Sequence, residues 1–240
     1  MSIKVFAYFD KKNLPKLLLA LQGLNSYTAQ TIGETEKPSK LDIKITDKEQ
    51  VHSFLTGHSE GFFMHTNMGL YNVSLQDKTY STVCFYPNES LKEDCILEIL
   101  TAYVFADAEF GYAADEEEYE YRNRIKLDVS GSEVESWVGR NLSKYISGLY
   151  YFTLISNNQA ELKSIEVNIL KANAVDFFEV SGKSVIYKFY ESPDLWKSQK
   201  AKIDQLCRLN KNIFSKDEIE DVALKSTTVM DFIMKTREWN

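Results

Sequence analysis

Gly57-His58-Ser59-Glu60-Gly61 has the G-x-S-x-G spacing of a nucleophile elbow, in which a strained strand-to-helix turn presents a serine hydroxyl to a histidine base. Its surroundings run in the opposite order. Val51, Phe54 and Leu55 recur as on a helix before the serine, and Phe62, Phe63 and Met64 read as a strand after it. The last histidine of the chain is His65, so none follows late enough to act as the base of such a hydrolase. The motif is therefore expected to be a plain helix-to-strand turn. His52, His58 and His65 are the only histidines, but their spacing matches neither a helical ligand pair nor a zinc finger, and no cysteine pair lies nearby. No metal site and no catalytic residue is expected from these groups.

The second set of reactive groups is acidic. Asp107, Glu109, Asp115, Glu116, Glu117, Glu118 and Glu120 fall in one short run without a Lys or Arg between them, and seven carboxylates equal the whole net charge of −7. The run lacks the Asp-x-Asp-x-Asp-Gly spacing of a calcium loop. It offers too many carboxylates, and no sign of a pocket, for an acid-base pair. Two readings stay open: a solvated face, or a surface that steers a basic partner while Phe110, Tyr112, Tyr119 and Tyr121 supply contact area. Arg122, Arg124, Lys126, Arg140 and Lys144 follow closely and are expected to pair with these acids. The negative balance opposes general nucleic-acid affinity. With neither a P-loop nor a dinucleotide fingerprint, no cofactor is expected.

The elements that must position these groups read as follows. Ile3 to Phe9 is a strand, and Asn13 with Pro15 opens a helix carrying Leu14, Leu17, Leu18, Leu21 and Leu24 on one face. Thr31 to Lys40 is a loop, Leu41, Ile43 and Ile45 alternate as a strand, and Lys48 to Thr56 is a short helix. Gly61–Thr66, Leu70–Leu75 and Tyr80–Tyr86 form an antiparallel meander. Ser90 and Glu93 have capping-box spacing before a helix with Ile96, Leu97, Leu100, Tyr103 and Val104 on its apolar side. Six further segments read as strands: Ile125–Val129, Val134–Val138, Leu149–Ile155, Ile165–Leu170, Ala174–Val180 and Ser184–Tyr190. Two C-terminal helices follow, opened by Ser192-Pro193-Asp194 and by Ser215 with Glu218, the last burying Ile219, Val222, Ala223, Val229, Met230 and Ile233.

Mostly consecutive strands and no Pro/Gly/Ser linker predict one α+β domain over 1–240, largely antiparallel sheet with flanking helices, possibly in two lobes joined near 107–124. The opening residues are too soon interrupted by charge for a signal peptide, and no stretch approaches a membrane span. Cys84, Cys95 and Cys207 are unclustered and odd in number, as reduced thiols would be. A cytoplasmic location and no membrane partner are expected.

Glu135-Ser136-Trp137-Val138-Gly139-Arg140-Asn141-Leu142-Ser143-Lys144-Tyr145, continuing through Gly148-Leu149-Tyr150-Tyr151, resembles segments of bacterial polymorphic-toxin immunity proteins. The likeness lies in a Trp-Val-Gly-Arg turn, a short helix and a Gly-Leu-Tyr entry to a strand. It implies an α+β protein that binds one cognate toxin and blocks it without catalysis. A basic toxin would meet Asp115, Glu116, Glu117, Glu118 and Glu120, with Tyr112, Tyr119, Tyr121, Trp137 and Arg140 as contacts. Two alternatives stand beside this expectation. One is an enzyme of hydrolase-like type using Ser59, His58 or the carboxylates near Arg122 and Arg124. The other is a structural or adaptor subunit whose C-terminal helices, with Trp239, form a homo-oligomer.

Overall fold

The computed structural model describes residues 3–76, 80–129 and 131–239. In chain order the strands are β1 (Ile3–Phe9), β2 (Thr31–Gly33), β3 (Ile43–Lys44), β4 (Gly61–His65), β5 (Gly69–Ser74), β6 (Ser81–Pro87), β7 (Phe110–Asp115), β8 (Arg124–Val129), β9 (Ser132–Trp137), β10 (Phe152–Ser156), β11 (Asp176–Val180) and β12 (Ser184–Lys188). The helices are α1 (Leu14–Gln22), α2 (Lys48–Gly57), α3 (Glu93–Phe105), α4 (Glu116–Asn123), α5 (Asn157–Leu162), α6 (Val167–Asn173), α7 (Trp196–Leu209), α8 (Lys216–Leu224) and α9 (Val229–Arg237). The fold is α+β, with one large, mainly antiparallel sheet in the order β11-β12-β10-β7-β1-β6-β5-β4-β2-β3 and a separate hairpin β8-β9. Among the described residues, no helix is long and apolar enough to cross a membrane.

The chain forms two compact units. The first takes the residues up to Ala113 with Leu154–Asn158 and Phe178–Ile186, and the second takes Ala114–Thr153, Gln159–Phe177 and the remainder from Tyr187. The first unit is built on the meander. Gly61 to His65 pairs with Leu70 to Ser74, and Gly69 to Ser74 pairs with Thr82 to Pro87, all antiparallel. Strand β1 then pairs with β6 from Val5↔Phe85 to Phe9↔Ser81. On this sheet α1 buries Leu14, Leu17, Leu18 and Leu21 at the spacing of one helical face, and α3 buries Ile96, Ile99, Leu100 and Tyr103. Each such side chain stabilises by about 2 kcal/mol on leaving water. The Tyr103 hydroxyl reaches the carbonyl of Val5 in the strand below at 3.4 Å.

In the second unit the β8-β9 hairpin carries a core of Ile125, Val129, Val138, Phe214, Ile219, Ala223 and Phe232. Gly139, at φ +72°, lies against the Phe214 ring, where an added Cβ would sit 2.3 Å from a ring carbon. Its N–H donates to the carbonyl of Trp239 at 2.7 Å, and Trp239 also packs on Tyr145. Trp239 is thus an internal packing residue of this unit, not a free end for association.

Several local expectations change. Only Ile43–Lys44 of the alternating 41–45 segment pairs as a strand, and Leu41 is 90% exposed. Residue Lys92, not Ser90, is the N-cap of α3, and it makes no side-chain capping bond. Ser215 does cap α8 by position, but among the described residues its buried hydroxyl has no hydrogen-bond partner. Ile165–Leu170 is not a strand: Val167–Asn173 is helical, anchored by fully buried Leu170. The stripe assigned to the last helix is split. Ile219 and Ala223 are buried, whereas Val222, Val229, Met230 and Ile233 are exposed on two separate helices.

Strand β7 is the main element absent from the sequence expectations. All six of its residues, Phe-Gly-Tyr-Ala-Ala-Asp, are buried, so no apolar-polar alternation marks it. Gly111 lets it approach β1 closely, since a Cβ there would lie 2.8 Å from the Phe6 carbonyl oxygen. Gly111→Ala is expected to destabilise the protein by about 1–3 kcal/mol through backbone displacement in the sheet. Urea unfolding of the two chains measures it, and an unchanged midpoint would contradict the close approach.

Candidate functional site

The acidic run is the start of an element. Asp115 ends β7 in extended geometry and caps α4, its Oδ1 accepting the Glu118 N–H at 2.9 Å. Glu116, Glu117 and Glu118 fill the first turn, where the helix dipole favours negative charge, and Arg122 lies in the last. Asp-Glu-Glu-Glu followed by Arg is a helix-start signature, and it was the signal available to find α4.

Helix α4 then divides its residues between two environments. Glu118 and Arg122, one turn apart, point into the unit and are buried. Arg122 Nε lies 3.4 Å from Glu118 Oε1, Nη1 donates to Asp204 Oδ1 of α7 at 2.9 Å, and Nη2 donates to the Tyr190 hydroxyl at 2.6 Å. Tyr121 donates its hydroxyl proton to the other oxygen of Asp204 at 2.9 Å. Burial pushes the Glu118 carboxyl up to about 7, against the opposing pull of Arg122, Tyr190 and the Tyr151 N–H. Burial works against the charge of Arg122 as well, but Tyr190, Glu118 and Asp204 hold its proton more firmly than in a free arginine. Beside this network Asn123 donates to the carbonyls of Val138 and Ser147, each at 3.0 Å, and accepts the Tyr150 hydroxyl at 2.5 Å. Apart from half-buried Tyr121 these groups are buried, and their arrangement is that of a structural clamp.

The other side of α4 meets the surface. Tyr119 stacks on Trp137 at the end of β9, with ring centroids 5.4 Å apart. The guanidinium carbons of Arg124 and Arg140 lie 5.4 and 5.3 Å from the same Trp137 ring. Arg124 Nη1 bonds Glu120 at 2.6 Å, and its Nη2 bonds Glu135 across the hairpin. Tyr119, Glu120, Trp137 and Arg140 are therefore brought together, with Arg124 and Glu135 as members that sequence reasoning had left out of the site. Glu116 and Glu117 are exposed nearby in the chain, Glu117 paired with Lys197.

The remaining predicted contacts lie elsewhere. Tyr112 is buried in the sheet of the first unit, stacked on Phe6 at 5.2 Å, and cannot anchor a partner. Asp115 and Glu118 are buried because one caps the helix and the other fills the clamp, so neither belongs to a surface. Tyr121 is half-buried, bonded to Asp204 and packed on Trp196. Asp107 and Glu109 line a 360 Å³ polar cavity of the first unit, Asp107 paired with Lys16 and Lys183 and Glu109 accepting Ser156 and Asn158. The run is thus neither a uniformly solvated face nor a continuous acidic patch.

Ser59 sits exposed in the turn from α2 to β4, the reverse of an elbow. His58 directs Nδ1 to the Phe54 carbonyl and Nε2 to Glu34, at 2.7 and 2.6 Å. Among the described residues no group of three His, Cys, Asp or Glu is placed to hold a metal ion. None of the three cysteines forms a disulfide.

The segment 135–151 is used chiefly for packing. Val138, Leu142, Ile146, Leu149 and Tyr150 are buried, and Asn141 to Tyr145 is a hydrogen-bonded turn, not a helix. No protein-family model, curated protein or solved structure matches the chain.

The clamp carries a pH signature. A carboxyl held near 7 in the folded protein, against 4.5 unfolded, contributes stability that is complete below about 4.5 and is lost as pH rises through about 7. Glu118→Gln removes this dependence, so the variant gains on the native chain by up to about 3 kcal/mol between pH 5 and 8. Parallel stability-pH curves in urea titrations would contradict the assignment. Arg122→Met leaves Asp204 without its guanidinium partner in the interior and is expected to cost about 3–5 kcal/mol at neutral pH by the same measurement.

Proposed function

We propose that this protein works by binding another protein, as an immunity-type inhibitor of a cognate toxin, and that the cluster around Trp137 is the centre of its contact face. One observation supports this: Trp137, Tyr119 and two arginines are gathered, half-buried, at one place on the second unit. Trp, Tyr and Arg dominate binding energy where they cluster, because large pre-ordered rings lose little entropy on contact. Their order here is set from beneath by the Arg122 clamp, which fixes the helix bearing Tyr119. Glu116 and Glu117 in the first turn of α4 supply the acidic edge that would speed the approach of a basic toxin. A cytoplasmic location accompanies this reading, since an immunity protein must meet the toxin inside the cell it protects.

The exposed acids contribute to rate more than to affinity, because exposed ion pairs are individually weak and Glu117 already has Lys197. The aromatic pair should carry the affinity.

The test is affinity capture from a lysate of the source organism containing the products of neighbouring genes, followed by co-expression of the captured protein. The native chain should recover one basic protein and relieve the growth arrest it causes. Combined Tyr119→Ala and Trp137→Ala should weaken that complex by about 100-fold while cooperative unfolding is retained. Equal capture by the double variant would remove the Trp137 face from the proposal. Capture of no toxic protein would remove the inhibitor reading itself.

A further inference from the structure

Helix α2 is lightly held in the first unit. Its start is fixed, since Asp47 caps it and accepts the Gln50 N–H at 3.1 Å. Beyond that, Val51 is its buried residue, and Phe54 and Leu55 are only half-buried. Its last four carbonyls, those of residues 54–57, have no partner within the helix. His58 takes the C-cap position and folds its ring back over this end. The ring stacks on Phe54 with centroids 3.9 Å apart, and Phe54 meets the buried Phe62 of β4 edge-on at 6.2 Å.

Both ring nitrogens of His58 face acceptors. Nδ1 lies 2.7 Å from the Phe54 carbonyl oxygen, and Nε2 lies 2.6 Å from Oε1 of Glu34, the residue after β2. Neither a carbonyl nor a carboxylate donates, so the ring must donate twice. A neutral imidazole has one N–H and would set a lone pair against one of the two oxygens; only the imidazolium satisfies both. Its charge suits the place, at the negative end of a helix dipole and beside a carboxylate.

We propose that His58 is a proton-operated fastener for the end of α2: doubly protonated, it ties the last turn of the helix to Glu34, and loss of one proton releases that turn. Glu34, the stronger acceptor, keeps the remaining N–H on Nε2. Nδ1 then turns a lone pair toward the Phe54 carbonyl, the contact becomes repulsive, and the ring and Phe54 lose their hold on Phe62. The proton passes to water, and the change reverses as pH falls. The Phe54 carbonyl and Glu34 both raise the proton affinity of His58 above that of an ordinary histidine, against the opposing effect of burial. The fastening is therefore complete below the ordinary histidine value of 6.5 and is lost as pH rises through the raised one. Among the described residues Glu34 is the charged group that acts on the ring; Lys48, Glu49 and His52 of α2 and Glu60 of the turn into β4 are exposed.

The proposal is independent of the toxin-binding reading, and its test needs no partner. Nuclear magnetic resonance of the purified full chain, with the His58 signals identified by their loss in His58→Gln, should show protons on both Nδ1 and Nε2 at about pH 6. The titration midpoint of His58 should fall in Glu34→Gln. Hydrogen exchange, corrected for the intrinsic rate at each pH, should show the protection of amides 55–57 dropping about 3- to 10-fold between about pH 6 and 8.5. That drop should follow the titration of His58, while the amides of β4 and β5 keep their protection. In His58→Gln the amides 55–57 should show the low protection at both pH values. Glu34 is exposed and the ring partly open to solvent, so both variants should keep the native circular dichroism spectrum. A single ring proton at about pH 6, or protection of 55–57 that stays level through the titration of His58, overturns the proposal.

Discussion

The second unit is organised around a single cation. Arg122 is buried, which by itself is a large penalty, and only a full set of partners makes that burial tolerable. Asp204, Glu118 and the Tyr190 hydroxyl supply that set from α7, from α4 itself and from the strand region after β12. Because the guanidinium is planar with donors at fixed angles, it fixes the direction of approach of each partner as well as the distance. A short helix of eight residues, with little apolar content, is held in one orientation by this demand. With Glu118 and Arg122 turned in, Tyr119 and Glu120 must turn toward Trp137, and the surface cluster follows from the interior.

The fate of the acidic residues illustrates how charge in a sequence differs from charge on a surface. Seven carboxylates within 107–120 read as a field, yet the fold distributes them: two over the polar cavity of the first unit, one into a helix cap, one into the clamp, and others into pairs with Lys197 and Arg124. Each pairing stays short in range. What reaches solvent is the first turn of α4, where Glu116 and Glu117 stand. The binding face is therefore better described by its rings and guanidiniums than by its net charge, and steering is a secondary property of it.

The hydrophobic pattern made much of the framework legible. Leu14, Leu17, Leu18 and Leu21 announced α1 by spacing, and the three runs of the meander announced β4, β5 and β6 by β-branched and aromatic content between polar turns. Where burial is two-sided or propensity is mixed, the pattern failed. Strand β7 has no alternation because neither face is wet. Val167 to Asn173 holds residues that favour strands but forms a helix, with the Glu166 N–H taken by Asn210 and Leu170 sunk in the core. The outward Met230 and Ile233 of α9 read as core because an apolar stripe states that a face wants cover, not what covers it. In the site itself, Trp137, Tyr119 and Arg140 were recognisable as residue types, while their meeting with Arg124 and Glu135 across a hairpin was not.

By itself, then, the sequence determined the class of fold, the position of most strands, the lack of an elbow context around Ser59 and the coming together of acids and arginines within one stretch. Those follow from local spacing, which the chain carries wherever it goes. Only the tertiary structure decided which carboxylate is buried, which is paired and which faces water, because that choice depends on Asp204 and Tyr190, some seventy to eighty residues away along the chain. A charge's energy is set by the dielectric and the partners around it, and both are products of folding rather than of the neighbouring residues.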